Sequence, residues 1–144
     1  MTRRALSASG ELTEAAFMAQ VIGLARVYGW RIYHPPAGGH GSAKTGGRRV
    51  DHEQVPEGRG FPDLLLLKGG RLIVAELKTR TGRMRQDQQE WLDAFNQMGY
   101  AIDDLYGSAD TAWPRAGVVA NIWRPEDWDV IRRFLSQNSG SQDA

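Results

Sequence analysis

Apolar positions along the chain fall into short periodic blocks separated by Gly, Pro and polar runs. Across residues 14–28, Phe17, Val21, Leu24 and Tyr28 recur at three- and four-residue steps, the stripe of an amphipathic helix. Thr13 suits its N-cap and Gly29 its end. Residues 30–33 read as a short strand stopped by Pro35-Pro36. Two apolar runs, 64–67 and 72–77, then flank Lys68-Gly69-Gly70-Arg71, the pattern of a β-hairpin. Residues 86–98 predict a second helix with Trp91, Leu92, Phe95 and Met98 on one side and Gly99 behind it. Residues 117–123 predict a strand. Pro125 opens a last helix, with Glu126, Asp127 and Asp129 early and Arg132 and Arg133 late, as the helix dipole favours. The predicted order is α-β-β-β-α-β-α, an α/β fold with a central mixed sheet flanked by helices. Residues 101–116 follow no clear pattern.

The hairpin has a chemical consequence. With Gly69-Gly70 as the turn, Leu67 faces Leu72, Leu65 faces Val74 and Asp63 faces Glu76. Directly opposed Cβ atoms stand about 4.5–5.5 Å apart. Lys78 shares the face of Glu76, because strand side chains alternate. Both faces of the hairpin are otherwise apolar, so it is expected in the middle of a sheet covered on two sides. Two carboxylates in this position repel unless neutralised. One can keep its proton, or a divalent cation such as magnesium, manganese or calcium can be shared between them. An Asp–Lys–Glu ion-pair cluster at a strand end is the structural alternative.

Composition narrows the setting. A length of 144 residues, 41% hydrophobic and 24% charged, suits one globular domain. The expected limits are a domain over 12–135 with flexible tails at 1–11 and 136–144. No apolar run reaches the roughly 18 residues of a membrane span, and no signal-peptide core opens the chain. A cytoplasmic, non-secreted protein is therefore expected. Absent cysteine excludes disulfides and thiolate centres. The net charge of +1 hides a segregation: residues 31–85 hold eleven Lys/Arg against five Asp/Glu, and residues 86–144 hold four against ten. Fifteen of the eighteen basic residues are Arg, suited to bidentate phosphate contact. This pattern fits a polyanionic partner or, more blandly, a solvated surface. Residues 35–60 hold seven of the seventeen glycines together with Lys44, Arg48, Arg49 and Arg59, and are expected to form a flap near a ligand. His34, His40 and His52 match no zinc spacing and read as loop histidines. The tryptophans at 91, 123 and 128 read as core residues.

Pro62-Asp63 followed by Glu76-Leu77-Lys78 resembles the PD-(D/E)XK nuclease signature. Further matches are Thr13-Glu14 opening the first helix, Gly29-Trp30, Gly60-Phe61-Pro62-Asp63-Leu64, Thr79, Gly82, Gln88 before Trp91, and Trp123-Arg124-Pro125 with Asp127-Trp128. Together they resemble a VRR-NUC domain, the virus-type replication and repair nucleases, over roughly residues 12–135. The resemblance implies that Asp63 and Glu76 hold a catalytic Mg2+ or Mn2+ with the main-chain carbonyl of Leu77, that Lys78 positions the attacking water, and that Glu14 and Gln88 approach from the two helices. Helical phase independently directs Glu14 and Gln88 along their apolar stripes, where a buried polar group needs a partner. A first-turn acid and a core glutamine bonded to backbone are the alternatives for these two. Met18 and the segment 101–116 depart from the pattern without touching the carboxylates.

The expected chemistry is metal-dependent hydrolysis of DNA phosphodiesters, selective for branched, flap or junction DNA. Lys44, Arg48, Arg49, Arg80, Arg83 and Arg85 are the expected phosphate contacts. Such binding weakens steeply with salt, and no base-reading motif is visible. A homodimer would suit a two-fold junction. A catalytically inactive DNA-binding module of the same fold, or a structural partner in a replication complex, are the competing classes.

Overall fold

The computed structural model describes residues 10–36, 56–106 and 117–137. Helix α1 (Glu14–Val27) is followed by strands β1 (Arg31–Tyr33), β2 (Leu64–Lys68) and β3 (Arg71–Leu77), helix α2 (Gln86–Tyr106), strand β4 (Val118–Trp123) and helix α3 (Trp128–Ser136). Short 3-10 turns cover Pro56–Gly58 and Pro125–Asp127. The α/β order predicted from the sequence is the one observed. The flap expected at 35–60 and the segment 101–116 lie largely outside the described residues, as do most of the two expected tails.

The four strands form one mixed sheet in the order β1-β2-β3-β4. Pairing is antiparallel except for β3 with β4. The hairpin register is the expected one: Lys68 pairs with Arg71, Leu67 with Leu72, Leu65 with Val74 and Leu64 with Ala75. Gly69 and Gly70 both take positive φ, at 54° and 77°, as a tight two-residue hairpin turn requires. The parallel β3–β4 pair is bracketed by Leu72 N–H on the Gly117 carbonyl at 2.6 Å and Lys78 N–H on the Trp123 carbonyl at 3.0 Å.

One face of the sheet carries Leu64, Leu66, Ile73, Ala75 and Leu77 into the main core, with Phe17, Val21 and Ala25 of α1 and Ile131 and Leu135 of α3. Thr13 caps α1 by accepting from the Ala16 N–H at 3.2 Å. At its other end Trp30 N–H reaches the Ala25 carbonyl and Gly29 N–H the Arg26 carbonyl, both at 3.0 Å, a Schellman closure. The Trp30 indole then donates to the Leu135 carbonyl at 2.9 Å, fastening α3 beside α1.

The other face is covered by α2, with Leu92 packed on Val74 and Ala120. Asn96 of α2 exchanges two 3.1 Å hydrogen bonds with the backbone of Ala120, occupying polar groups that an edge strand would otherwise offer to another chain. Three expectations need correcting. Helix α2 runs through Gly99 to Tyr106, since one glycine costs a helix only about 1 kcal/mol. Met98 is 53% exposed instead of sharing the buried side of Leu92. Cover on this face is partial, because Leu67 (48%) and Tyr33 (57%), on the β1–β2 side, remain exposed among the described residues.

The start of α2 is pressed against the turn before β2. The Gly60 φ is +77°, and a Cβ there would stand 2.6 Å from the Asp87 carbonyl carbon and 2.7 Å from the Gln88 nitrogen. Phe61 packs edge-on to Trp91, with centroids 4.9 Å apart, and the Trp91 indole donates to the Arg59 carbonyl at 2.9 Å. Gly60→Ala adds a left-handed backbone penalty to a backbone clash and is expected to destabilise by about 3 kcal/mol. Gly23→Ala, where nothing lies within 4 Å in mid-α1, is expected to stabilise by about 0.5–1 kcal/mol. Urea unfolding of the two variants measures both effects.

Candidate active site

The hairpin ladder ends at Leu64–Ala75, and the next residues on each strand are Asp63 and Glu76. Asp63 Oδ2 accepts the Leu77 N–H at 2.8 Å, so its carboxylate is tied to the strand that carries Glu76. The Asp63 carbonyl accepts from His34 Nδ1 at 2.7 Å, just past the end of β1. Asp63 is therefore anchored through both its side chain and its main chain.

Glu76 lies within β3 at 2% exposure. Its Oε1 accepts Gln88 Nε2 at 2.5 Å and faces Lys78 Nζ at 3.4 Å. Gln88 is itself buried in the first turn of α2, and its Oε1 accepts the Arg85 N–H at 3.0 Å. Its amide is thus oriented from both ends. Glu76 Oε2 is buried and has no hydrogen-bond partner among the described residues. Burial pushes the Glu76 carboxyl up to about pH 7, and the Asp63 carboxylate adds to the rise. Lys78 opposes both, and Glu14 contributes a smaller upward push.

Asp63, Glu76, Leu77, Lys78 and Gln88 are brought together as expected. Glu14 is not buried along the apolar stripe: as the first residue of α1, a turn before Phe17, it is exposed. Its carboxylate still acts on Glu76 across space. Arg80, Arg83 and Arg85 are exposed on the segment joining β3 to α2. Arg80 pairs with Glu11 at 3.2 Å and Arg85 with Asp87 at 3.1 Å. Lys44, Arg48 and Arg49, like His40 and His52, lie outside the described residues. His34 was read as a loop histidine, and it is exposed, but it also touches Asp63. Its place depends on β1 pairing with β2, which local periodicity does not encode.

An orphaned carboxylate oxygen beside a second carboxylate suits a hard divalent cation. Among the described residues no group of three or more His, Cys, Asp or Glu forms a ready-made cage. Two carboxylates and a carbonyl match the habit of Mg2+, which keeps several waters and takes one or two protein carboxylates. Asp63, Glu76 and the Leu77 carbonyl fit such an ion, with Glu14 at the periphery.

No protein-family model, curated protein or solved structure matches the chain.

A buried acid of this kind leaves a pH signature. The folded metal-free protein holds the Glu76 proton to about pH 7, whereas the ordinary carboxyl releases it near 4.5. Between those values the folded state binds the extra proton, so its stability falls as pH rises through the window and levels off above it. Glu76→Gln, in metal-free buffer, is expected to exceed the native protein in stability at pH 8 by about 2–3 kcal/mol and to lose that advantage at pH 4. Chemical denaturation at the two pH values measures the difference.

Proposed function

We propose that this protein is a metal-dependent nuclease that hydrolyses DNA phosphodiesters, with the PD-(D/E)XK-type core and, more narrowly, the VRR-NUC domain that its motifs resemble. The observation that carries the reading is the buried Oε2 of Glu76, without a hydrogen-bond partner among the described residues, in a carboxylate beside Asp63 and Lys78. No helix among the described residues is long and apolar enough to cross a membrane. The reading implies a cytoplasmic enzyme whose partner is DNA, and a homodimer would suit two-fold junctions.

Asp63 and Glu76 would hold Mg2+ or Mn2+ with the Leu77 carbonyl. When bound, such an ion makes a water nucleophilic at neutral pH and screens charge gathering on the phosphate. The Leu77 N–H keeps the Asp63 carboxylate turned towards β3. Gln88 holds one oxygen of Glu76 and leaves the other available. Lys78, 13% exposed and beside Glu76, places a cation where the attacking water and the developing negative charge meet. Arg80, Arg83 and Arg85 lie on the segment that continues from Lys78, so a phosphate backbone can run from the site along their exposed side. Contacts of this type favour backbone and shape over base sequence.

The test is incubation with labelled flap, four-way-junction, single-stranded and duplex DNA in Mg2+, Mn2+ or chelator. Cleavage is expected only with metal and most strongly on a branched substrate. Asp63→Ala and Lys78→Ala are each expected to lower the rate by about 10²-fold or more. Salt-sensitive DNA binding without cutting under any metal would overturn the enzyme reading in favour of an inactive binding module. Absence of salt-dependent binding would leave only a structural role.

A further inference from the structure

Between β3 and α2 the chain carries Arg80, Thr81, Arg83 and Arg85 out into solvent. The inner side of this segment is held from a different element. Arg124 directly follows β4, and its Nη1 donates to the Thr79 carbonyl at 2.6 Å and the Gly82 carbonyl at 2.8 Å, with a longer 3.4 Å contact to the Arg80 carbonyl. The Gly82 N–H closes the same turn on the Thr79 carbonyl at 3.2 Å. Arg124 is fixed in turn: its own N–H donates to Asp127 Oδ2 at 2.9 Å, and the preceding Trp123 carbonyl receives the Lys78 N–H at 3.0 Å. One planar cation thus gathers the carbonyls of a single turn.

A trans peptide is flat, with its C=O and N–H on opposite sides, and there are no cis peptides among the described residues. With the Thr79 and Gly82 carbonyls facing Arg124, the Arg80 and Arg83 N–H groups face away from it. The looser contact of the Arg80 carbonyl gives the Thr81 N–H the same sense. None of these three N–H groups has a hydrogen-bond partner among the described residues. Backbone N–H groups turned to one side make an anion-binding surface. Here that surface also carries arginine side chains. Arg83 has no ion pair among the described residues, and the Arg80–Glu11 pair, at 68% and 36% exposure, is of the solvated kind that contributes little. A phosphate can exchange for it.

We propose that Arg124 is a positioning residue, and that the turn it holds binds a phosphate of the nucleic-acid backbone flanking the scissile bond through the Arg80 and Arg83 N–H groups. The identity of that phosphate as DNA's rests on the nuclease reading; the anion chemistry does not. Arg124 itself lies behind the turn and touches no substrate. Lysine is a poor replacement: all three contacts are made by the terminal Nη1, and a lysine ammonium ends one bond short of that position.

The experiment is an amide NMR titration of the metal-free protein with inorganic phosphate, paired with binding of a junction DNA in chelator. Phosphate, but not chloride at equal ionic strength, is expected to shift the Arg80, Thr81 and Arg83 amides saturably in the native protein and not in Arg124→Lys. Arg124→Lys and Arg124→Ala are expected to weaken DNA binding about tenfold, against about threefold for Arg80→Ala or Arg83→Ala. Millimolar guanidinium is expected to restore binding to Arg124→Ala where sodium does not, a rescue that a misfolded variant would not show. Unmoved amides in the native protein, or native DNA affinity in both Arg124 variants, would overturn the proposal. Shifted amides in a protein that cuts no DNA would sink the nuclease reading alone; silent amides in a protein that cuts would sink this one alone.

Discussion

A carboxylate is buried in the middle of this sheet, and the rest of the site is arranged around that cost. Glu76 occupies a strand position whose neighbours, Ala75 and Leu77, are fully buried, and it is itself 2% exposed. Taking an ionised carboxyl out of water is expensive unless it is paired or neutralised. The partners supplied are incomplete: Gln88 and Lys78 both address Oε1, while Oε2 has none among the described residues. A second carboxylate, Asp63, raises the cost further. A structural ion pair does not need a second carboxylate held beside the first. A site that must accept a cation is built that way, because the same crowding that disfavours the empty charged pair favours the filled one.

The fold secures this crowding by backbone means. Asp63 stands one residue beyond the last hairpin pair and is tied to the Leu77 N–H, so it cannot relax away from Glu76 without breaking a 2.8 Å hydrogen bond. The turn at Gly60 admits the first residues of α2 at backbone contact, which carries Gln88 to the buried side of Glu76. From the opposite direction Trp123 receives the Lys78 N–H. Hairpin, helix and parallel strand therefore converge on three consecutive residues, Glu76 and Leu77 at the end of β3 and Lys78 just past it.

Much of this was legible in the chain. Two glycines between alternating apolar runs leave one register, and that register already opposes Asp63 to Glu76. The helical phase of Gln88 with Leu92 correctly announced a buried amide in need of a partner. Helical phase overstates the burial of Glu14, because phase places a residue on a face but not within its packed length; its charge nonetheless reaches Glu76. Gly99 was misread because helix α2 continues through a modest local penalty. His34 and Arg124 were missed for a shared reason. Their roles arise from strand neighbours distant in sequence, β1 beside β2 and β4 beside β3, and neither adjacency leaves a periodic trace.

The central claim is that Asp63 and Glu76 share one divalent cation. Anomalous diffraction from crystals soaked in Mn2+ tests it most directly. The account predicts a single strong peak joined to both carboxylates, with Glu76 Oε2 as a ligand, and its loss in Asp63→Ala crystals. A soaked crystal with no peak there, and with Glu76 still held only by Gln88 and Lys78, would contradict it.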